Sequence, residues 1–479
     1  MSDQGETGKA STDVTLFGPV PTQPDWPAIE HEVLDWWGET DAFGKLCRQN
    51  AGAEPWSFQD GPITANNPMA VHHAWGRTYK DAWGRFRAMQ GHDLRWQNGF
   101  DCQGLWVEVN VERELGFRSK RDIEAHGIAA FVRRCKERVL RMAALQTMQS
   151  IRLGMWMQWD DPDKLRWLAD NIDRDEPVKV KTPSGDVTDT VESLVGRLGH
   201  WPWYGSYFTF SDENNYMIWH FLKTCHERGW VYQGTDVMPW CTRCGTGLSQ
   251  HEIVTEGYQE TTHLSPTLRF PLVDRPGESL LVWTTTPWTL TSNVAAAVGP
   301  ELTYVRVRQG DEVFYLAEGA AATALEGDHE VLDRLTGSEM LGWRYTGPFD
   351  ELHAQVEGRE HHVVIAWDEV GAEEGTGIVH IAPGCGAEDF ELGKEYGLPA
   401  IAPLDEDGKF VEGFDWMVGR HALELADEVL SNLHDKGLLY RAEPYTHRYP
   451  VCWRCQSELV FRLVDEWFIS MGELYDKPR

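Results

Sequence analysis

The sequence predicts an α/β fold interrupted by an inserted, β-rich domain, and three observations carry that prediction. The stretch Gly61–Glu108 reads as a turn-rich run feeding a helix and then a second polar loop. Two CxxC pairs, Cys241/Cys244 and Cys452/Cys455, stand on either side of most of the second half of the chain. Between them lie the strand-like run Ser279–Trp283 and a polar segment with Gly turns on both sides, Gly375–Gly384.

At 479 residues, with 42% hydrophobic and 25% charged residues, the chain is long enough for more than one domain with a real core. No apolar run approaches membrane-span length, and the opening MSDQGETGKASTDV lacks the apolar core of a secretory signal, so a cytoplasmic protein without a membrane partner is expected. Nine cysteines in such a chain argue for free thiols and a metal site rather than a disulfide framework. The net charge of -31 points away from broad contact with nucleic acid. The local basic runs Arg118–Arg121 and Arg133–Arg141 leave room for contact through a minority face.

Taken in order, residues 1–25 are polar and read as a loose arm, Ile29–Cys47 as a first helix, and Glu54–Asp60 as an approach to the Gly61 loop. A helix is expected to start at His72 and His73, with Ala74, Tyr79, Trp83, Phe86 and Met89 as its apolar face and Arg77, Lys80, Asp81, Arg85 and Arg87 as its polar one. Its N-terminus, with unpaired N–H groups and partial positive charge, is a natural cradle for a phosphate. A long helix is expected over Lys120–Leu153, ending in Gly154–Asp161. Residues 163–204 read as an insertion, a surface excursion with no chemistry, after which a helix resumes over Glu213–Arg228. Neither a GxGxxG between strand and helix nor a GxxxxGK[ST] is present, so bound ATP would rest on the histidine-bearing helix start.

Each CxxC pair can grip one tetrahedral metal with two thiolates, and two pairs complete the closed four-cysteine zinc site used for structure. Cys241, Cys244, Cys452 and Cys455 sharing one ion would make residues 245–451 leave and re-enter their parent domain at adjacent points, and the arginine at the third place of each pair would offset thiolate charge. Within the insert, Thr284, Thr285 and Thr286 before Pro287 suit the lining of a polar pocket. His380 and Asp389, nine residues apart, could orient a water, or the carboxylate could hold an α-ammonium group.

These blocks carry a family resemblance. GPITAN resembles the GPPxAN loop of class I aminoacyl-tRNA synthetases, VHHAWGRTYKD their HIGH-type helix start, and NGFDCQGLWVE their GWDCHGLPVE loop; the likeness is greatest to the isoleucyl family. It implies a Rossmann-like catalytic domain, present in part, carrying a β-rich editing domain on a zinc-bearing stem. Position by position, Pro62 would line the isoleucine pocket, Asp101 would bind the substrate's amino group with Gln103 in the same loop, and His72 and His73 would face ATP. His73 is the second signature histidine; with Lys80-Asp81 fixing the register, Ala70 stands where the first is expected and His72 where glycine is, so the motif reads AxHH. Gln103 replaces a histidine, and Ile63 and Trp106 replace prolines.

VWTTTPWTL and GTGIVHIAPGCGAEDF resemble the two halves of the family's editing pocket. On that mapping Thr284, Thr285 and Thr286 contact the terminal adenosine and the ester, His380 lies in the pocket, and Asp389 takes the amino group of the wrong amino acid; Cys385 stands where histidine is common. The resemblance implies residues 26–244 as catalytic domain with the 163–204 insertion, 245–445 as editing domain, and 446–479 as zinc stem and return. Implied partners are isoleucine, ATP with Mg2+ and tRNA, with structural Zn2+, in an enzyme that is monomeric at full length. No KMSKS-like run occurs in the chain, and the family's second nucleotide-binding half and anticodon-binding domain are expected to lie beyond it. A free-standing editing hydrolase and a non-catalytic tRNA-binding paralogue remain as alternatives.

Overall fold

The computed structural model describes residues 22–59, 61–373 and 375–471, so most of the expected N-terminal arm lies outside the described residues. The fold is mixed α/β and divides into two compact units, Met1–Gln103 with Lys136–Asn214, and Gly104–Cys135 with Asn215–Arg479.

The first unit is built on short parallel strands. Ile63–Thr64 pairs in parallel with Gly99–Asp101, which pairs in parallel with Tyr207–Phe208. The helix Val71–Met89 makes the crossover between the first two, as parallel pairing requires. Phe100 and Phe208 are fully buried with ring centroids 5.1 Å apart, and Gly99 is required because a Cβ there would lie 2.3 Å from the Tyr207 ring. A second parallel pair joins Pro55–Ser57 to Asp93–Arg95.

The helix Val71–Met89 presents the opposite face from the one its periodicity predicts. Trp75, Tyr79, Trp83, Phe86 and Met89 are exposed, while Arg77, Gly84 and Ala88 are buried. Close approach decides it: a Cβ on Gly84 would come within 2.9 Å of the Trp96 indole, so this face seats an aromatic ring where a larger residue could not. The polar residues it carries inward are partly satisfied, Arg77 Nε and Nη2 being left without a partner. Arg77 Nη1 donates to Ser150 Oγ (2.5 Å), and Arg85 donates to Asp81 (2.7 Å) and Gly154 O (2.6 Å) while its guanidinium lies 3.9 Å from the Trp156 ring centroid.

Two expected helices are each broken in two. Ile29–Cys47 becomes Trp26–Glu39 and Ala42–Gln49, parted at Asp41, whose φ is +48°. Lys120–Leu153 becomes Lys120–His126 and Ile128–Arg152, parted at Gly127 with φ +101°, a conformation that glycine adopts at little cost and other residues do not. The stretch 163–204 is a folded element rather than a loose excursion. It holds a helix Pro162–Asp170, a hairpin Val178–Thr182 with Gly185–Asp189, and a helix Val191–Gly196. Leu165, Leu168, Val191, Leu194, Val195 and Leu198 are its buried core.

The second unit holds a mixed nine-stranded sheet. Its path runs Glu330–Thr336, Thr303–Gln309, Glu312–Ala317, Glu278–Trp283, Ile378–Ile381, Ala295–Val298, Val364–Ala366. The long strand Tyr258–Pro271 pairs on one edge with Glu278–Trp283 and on the other with Leu439–Pro450, matching Tyr258 to Pro450 and Thr267 to Arg441. Below that ladder Val231–Cys241 pairs antiparallel with Val460–Ile469. Among the described residues no helix is long and apolar enough to cross a membrane.

The reversed helix face gives a direct test by thermal unfolding. Tyr79→Ser, on the exposed stripe, should leave stability within about 0.5 kcal/mol, whereas Gly84→Leu should cost about 2 kcal/mol by overpacking against Trp96. The opposite order would restore the face assigned by periodicity.

Candidate functional site

The four predicted metal-ligating thiols meet. Cys241 Sγ lies 3.5 Å from Cys455 Sγ, Cys244 Sγ lies 4.0 Å from Cys452 Sγ, and all four sulfurs fall within 4.8 Å of one another. Four thiolates about 2.3 Å from a tetrahedral zinc stand roughly 3.8 Å apart, so the donor set and its spacing fit that ion. Three of the cysteines are fully buried, packed with Val109, Leu248, Ile253 and Leu459. The arginines of the two pairs are tied to carboxylates rather than left to the thiolates alone. Arg243 donates to Glu112 (2.7 Å), which is wholly buried and also accepts from Lys120 (2.7 Å), and Arg454 donates to Glu252 (2.5 Å).

A cavity of about 360 Å³ opens at the end of the strand Glu278–Trp283, and the threonine run, His380 and Asp389 all line it. They meet because Trp283 pairs with Val379 in the sheet, which lays the start of the threonine run beside the strand Ile378–Ile381. The helix Ala387–Tyr396 then carries Asp389 in its first turn. Gly375, at φ +59°, passes against the Trp283 ring where a Cβ would stand 2.6 Å away.

The hydroxyls form a chain. Thr286 N–H donates to Thr284 Oγ1 (3.1 Å), Thr286 Oγ1 lies 3.2 Å from Thr289 Oγ1, and Thr289 Oγ1 donates to Thr286 O (2.7 Å) and lies 3.0 Å from His380 Nε2. With the Thr289 proton on Thr286 O, the His380 contact is a donation from Nε2–H, and His380 Nδ1 is left buried without a partner. Burial holds this imidazole down to about 4, so it is neutral at physiological pH. Asp389 is partly open to the cavity; its Oδ2 accepts the Ala382 N–H (2.8 Å), yet burial pushes its carboxyl up to about 7. Thr289, Trp367 and Glu369 also line the cavity and were not singled out by sequence. Thr289 lay within the quoted WTTTPWTL run, whereas nothing local marks Trp367 or Glu369.

In the first unit Asp101, at the end of its strand, accepts from Thr64 Oγ1 (2.7 Å) and lies 3.4 Å from both Thr209 Oγ1 and the Gln103 N–H. Gln103 is exposed and Pro62 is half-buried in the loop before Ile63. His73, at the third position of its helix, accepts the Ala70 N–H at Nδ1 (3.1 Å), so its Nε2–H donates to His72 Nε2 (3.0 Å). Burial, with His72 and Arg77 adding to it, lowers the His73 value and keeps that ring neutral. Ala70 offers no side-chain cap; the His73 N–H is taken by Ala70 O (3.0 Å), which leaves the N–H groups of Val71 and His72 for a ligand.

A family model described as tRNA synthetases class I (I, L, M and V) matches residues 32–166 and 178–478. A Streptomyces coelicolor protein named isoleucine--tRNA ligase is 39% identical over 464 residues, 96% of this chain and 40% of that protein. A Thermobifida fusca protein of the same name is 38% identical over 467 residues, 96% and 39% of the two chains. The chain thus spans about two-fifths of the length of these curated relatives. Among solved structures, "The crystal structure of GlLeuRS-CP1" aligns at a TM-score of 0.28 and 14% identity, covering 38% of this chain and 99% of that one.

Two measurements test the site. The purified chain should carry one zinc equivalent by metal analysis, and Cys452→Ser should lose it together with a lowered unfolding midpoint. A carboxyl raised from 3.8 to about 7 disfavours its ionised form in the fold, so stability falls as pH rises through 7. Asp389→Asn should therefore melt above the parent chain at pH 8, and the difference should vanish by pH 4.

Proposed function

The chain belongs to the class I tRNA synthetases of the isoleucine, leucine, methionine and valine group, and from that premise we propose that it carries the activating and hydrolytic-editing parts of an isoleucine–tRNA ligase. What supports the reading most is the convergence of Thr284, Thr285, Thr286, His380 and Asp389 on one cavity. An amino-acid pocket rejects a side chain shorter by one methylene by only about 1–3 kcal/mol, and isoleucyl enzymes facing valine are the standard instance of that limit. A second, smaller site that hydrolyses the wrong ester removes it.

In this reading Asp389 pairs with the α-ammonium group of the misacylated valine, whose charge draws the carboxyl toward ionisation. The threonine hydroxyls hold the terminal adenosine and the ester. Water attacks the ester carbonyl, the bond to the ribose oxygen breaks, and valine and free tRNA leave. His380, neutral and donating to Thr289, acts by fixing that hydroxyl and through it Thr286; it is a positioning residue rather than a base.

For activation, the isoleucine carboxylate attacks the α-phosphorus of ATP, taken with Mg2+, and pyrophosphate leaves. Asp101 holds the amino group, with Pro62 and Gln103 in the loops around the amino acid. The uncapped helix start with His72 and His73 faces the phosphates, where positioning and charge stabilisation supply the rate. Cys241, Cys244, Cys452 and Cys455 hold a structural zinc at the base of the editing domain, residues 245–445. Residues 26–244 supply part of the catalytic domain and 446–479 the return. A cytoplasmic enzyme, monomeric at full length, completes the reading.

The test is hydrolysis of valine-charged against isoleucine-charged isoleucine tRNA by the chain. Valyl-tRNA should be cleared faster, and Asp389→Ala and Thr285→Ala should each slow that clearance at least tenfold while the fold and the zinc content persist. Clearance unaffected by both variants would overturn the assignment of this cavity.

A further inference from the structure

The stretch 163–204 helps enclose a second cavity, of about 390 Å³, in the first unit. The family model leaves 167–177 within this stretch unmatched, and nothing in the proposed activation or editing chemistry uses the cavity. Trp159, Asp160, Asp161, Lys164, Trp203 and Tyr204 are among its lining residues. Both indole N–H groups are taken by main chain, Trp159 Nε1 donating to Met155 O (3.1 Å) and Trp203 Nε1 to Leu194 O (2.8 Å). What the tryptophans offer a ligand is therefore ring surface. Tyr204, a non-glycine residue at φ +56°, is held in a left-handed conformation at the lip with its side chain exposed. Such strain is kept where the surroundings enforce it and is found most often at ligand sites.

Asp160 shares the charged lining of the cavity with Asp161 and Lys164. Its Oδ2 accepts the Ser206 N–H (3.2 Å), and its Oδ1 lies so close to Gly205 that a Cβ there would stand 2.7 Å away. Burial raises this carboxyl to about 6, so at neutral pH it remains mainly an ionised acceptor.

These features select a ligand by elimination. A cation is disfavoured because the Lys164 ammonium already sits 5.1 Å from the Trp203 ring centroid. An anion is disfavoured by Asp160 and Asp161 together. A purely apolar ligand would strip water from the half-buried Asp160 carboxylate and give it no donor in return. What fits is a neutral, planar ring that stacks on aromatic surface and turns two adjacent N–H donors toward one carboxylate. Of the four RNA bases only guanine presents such a pair, N1–H beside the N2 amino group. We propose that this cavity binds the guanine base of an unpaired nucleotide, stacked on tryptophan surface, lipped by Tyr204 and read by Asp160.

The inference stands independently of the editing reading, because its test involves no aminoacylated tRNA. Calorimetric titration of the whole chain with GMP, AMP, CMP and UMP should show GMP binding at least tenfold tighter than the other three. Asp160→Asn, which replaces one acceptor oxygen by a donor, should weaken GMP at least tenfold. Tyr204→Gly should also weaken it while relieving the left-handed backbone, so its unfolding midpoint should not fall; it carries the test should Asp160→Asn misfold. A hexauridylate with and without one internal guanosine separates the two sources of the base. Tighter binding of the guanosine oligomer than of GMP identifies RNA, and weaker binding identifies a free nucleotide. No heat from GMP up to millimolar concentration, equal affinity for all four nucleotides, or affinity unchanged in both variants would each overturn the proposal.

Discussion

The second unit depends on closing a very long chain excursion at its base. Fastening the ends of a loop of some two hundred residues costs configurational entropy, and that cost grows only slowly with length, so a strong local closure suffices. Two devices provide it in series. The ladder from Tyr258↔Pro450 to Thr267↔Arg441 zips entry to exit, and immediately below it the four sulfurs converge within 4.8 Å. The strands bring the cysteine pairs into register, and a metal bound there would lock the strands. Glu112, wholly buried and bonded to Lys120 and Arg243, ties one cysteine pair to the helix Leu105–Leu115. Removing one partner of such a buried group leaves an uncompensated charge, which is why it fixes position more than it adds stability.

The nine-stranded sheet carried above this closure places the cavity by register rather than by loop length. Trp283↔Val379 and Ala296↔His380 put the threonine run, the histidine and the buried turn Pro287–Ser292 around one strand end. The groups then settle into opposite protonation habits for one reason. Burial disfavours charge, so the histidine is held neutral and the carboxyl is raised toward the working pH. A carboxyl poised in that way is ionised most readily when a cation arrives, which ties its charge to the presence of an ammonium group.

Much of this was legible in the sequence. The paired CxRC spacing, the threonines before Pro287 and the Gly-bounded His380 and Asp389 all found their places. What failed, failed for definable reasons. Apolar periodicity misplaces the face of the helix Val71–Met89, because its buried face is set by Gly84 against Trp96 and by Arg77 Nη1 bonded to Ser150, contacts more than ten residues away in sequence. The breaks at Asp41 and Gly127 depend on backbone angles that composition only hints at. Residues 163–204 read as a charged surface excursion with a short helical pattern over Val191–Leu198; that helix is present as Val191–Gly196, and with Leu165, Leu168 and Leu198 it has enough apolar surface to close a core. Trp367 and Glu369 join the cavity beside the threonine run only through the sheet and carry no local mark at all.

The hydroxyl chain shows how a residue can serve a site without touching a substrate. His380 has one polar atom bonded to Thr289 and the other buried with no partner. A structural histidine could have been an apolar residue of similar size at less cost, since an unsatisfied buried nitrogen is unfavourable. The His380 Nε2–H, given to Thr289, fixes the direction of that hydroxyl, whose own proton goes to Thr286 O. Thr286 Oγ1 is thereby held against Thr289 at 3.2 Å and Thr284 at 3.3 Å, with both neighbours oriented. A cavity lined by freely turning hydroxyls would have to order them as the ligand arrives, whereas Thr289 is already bonded to Thr286 and His380, an arrangement that favours a developing charge without reorganisation.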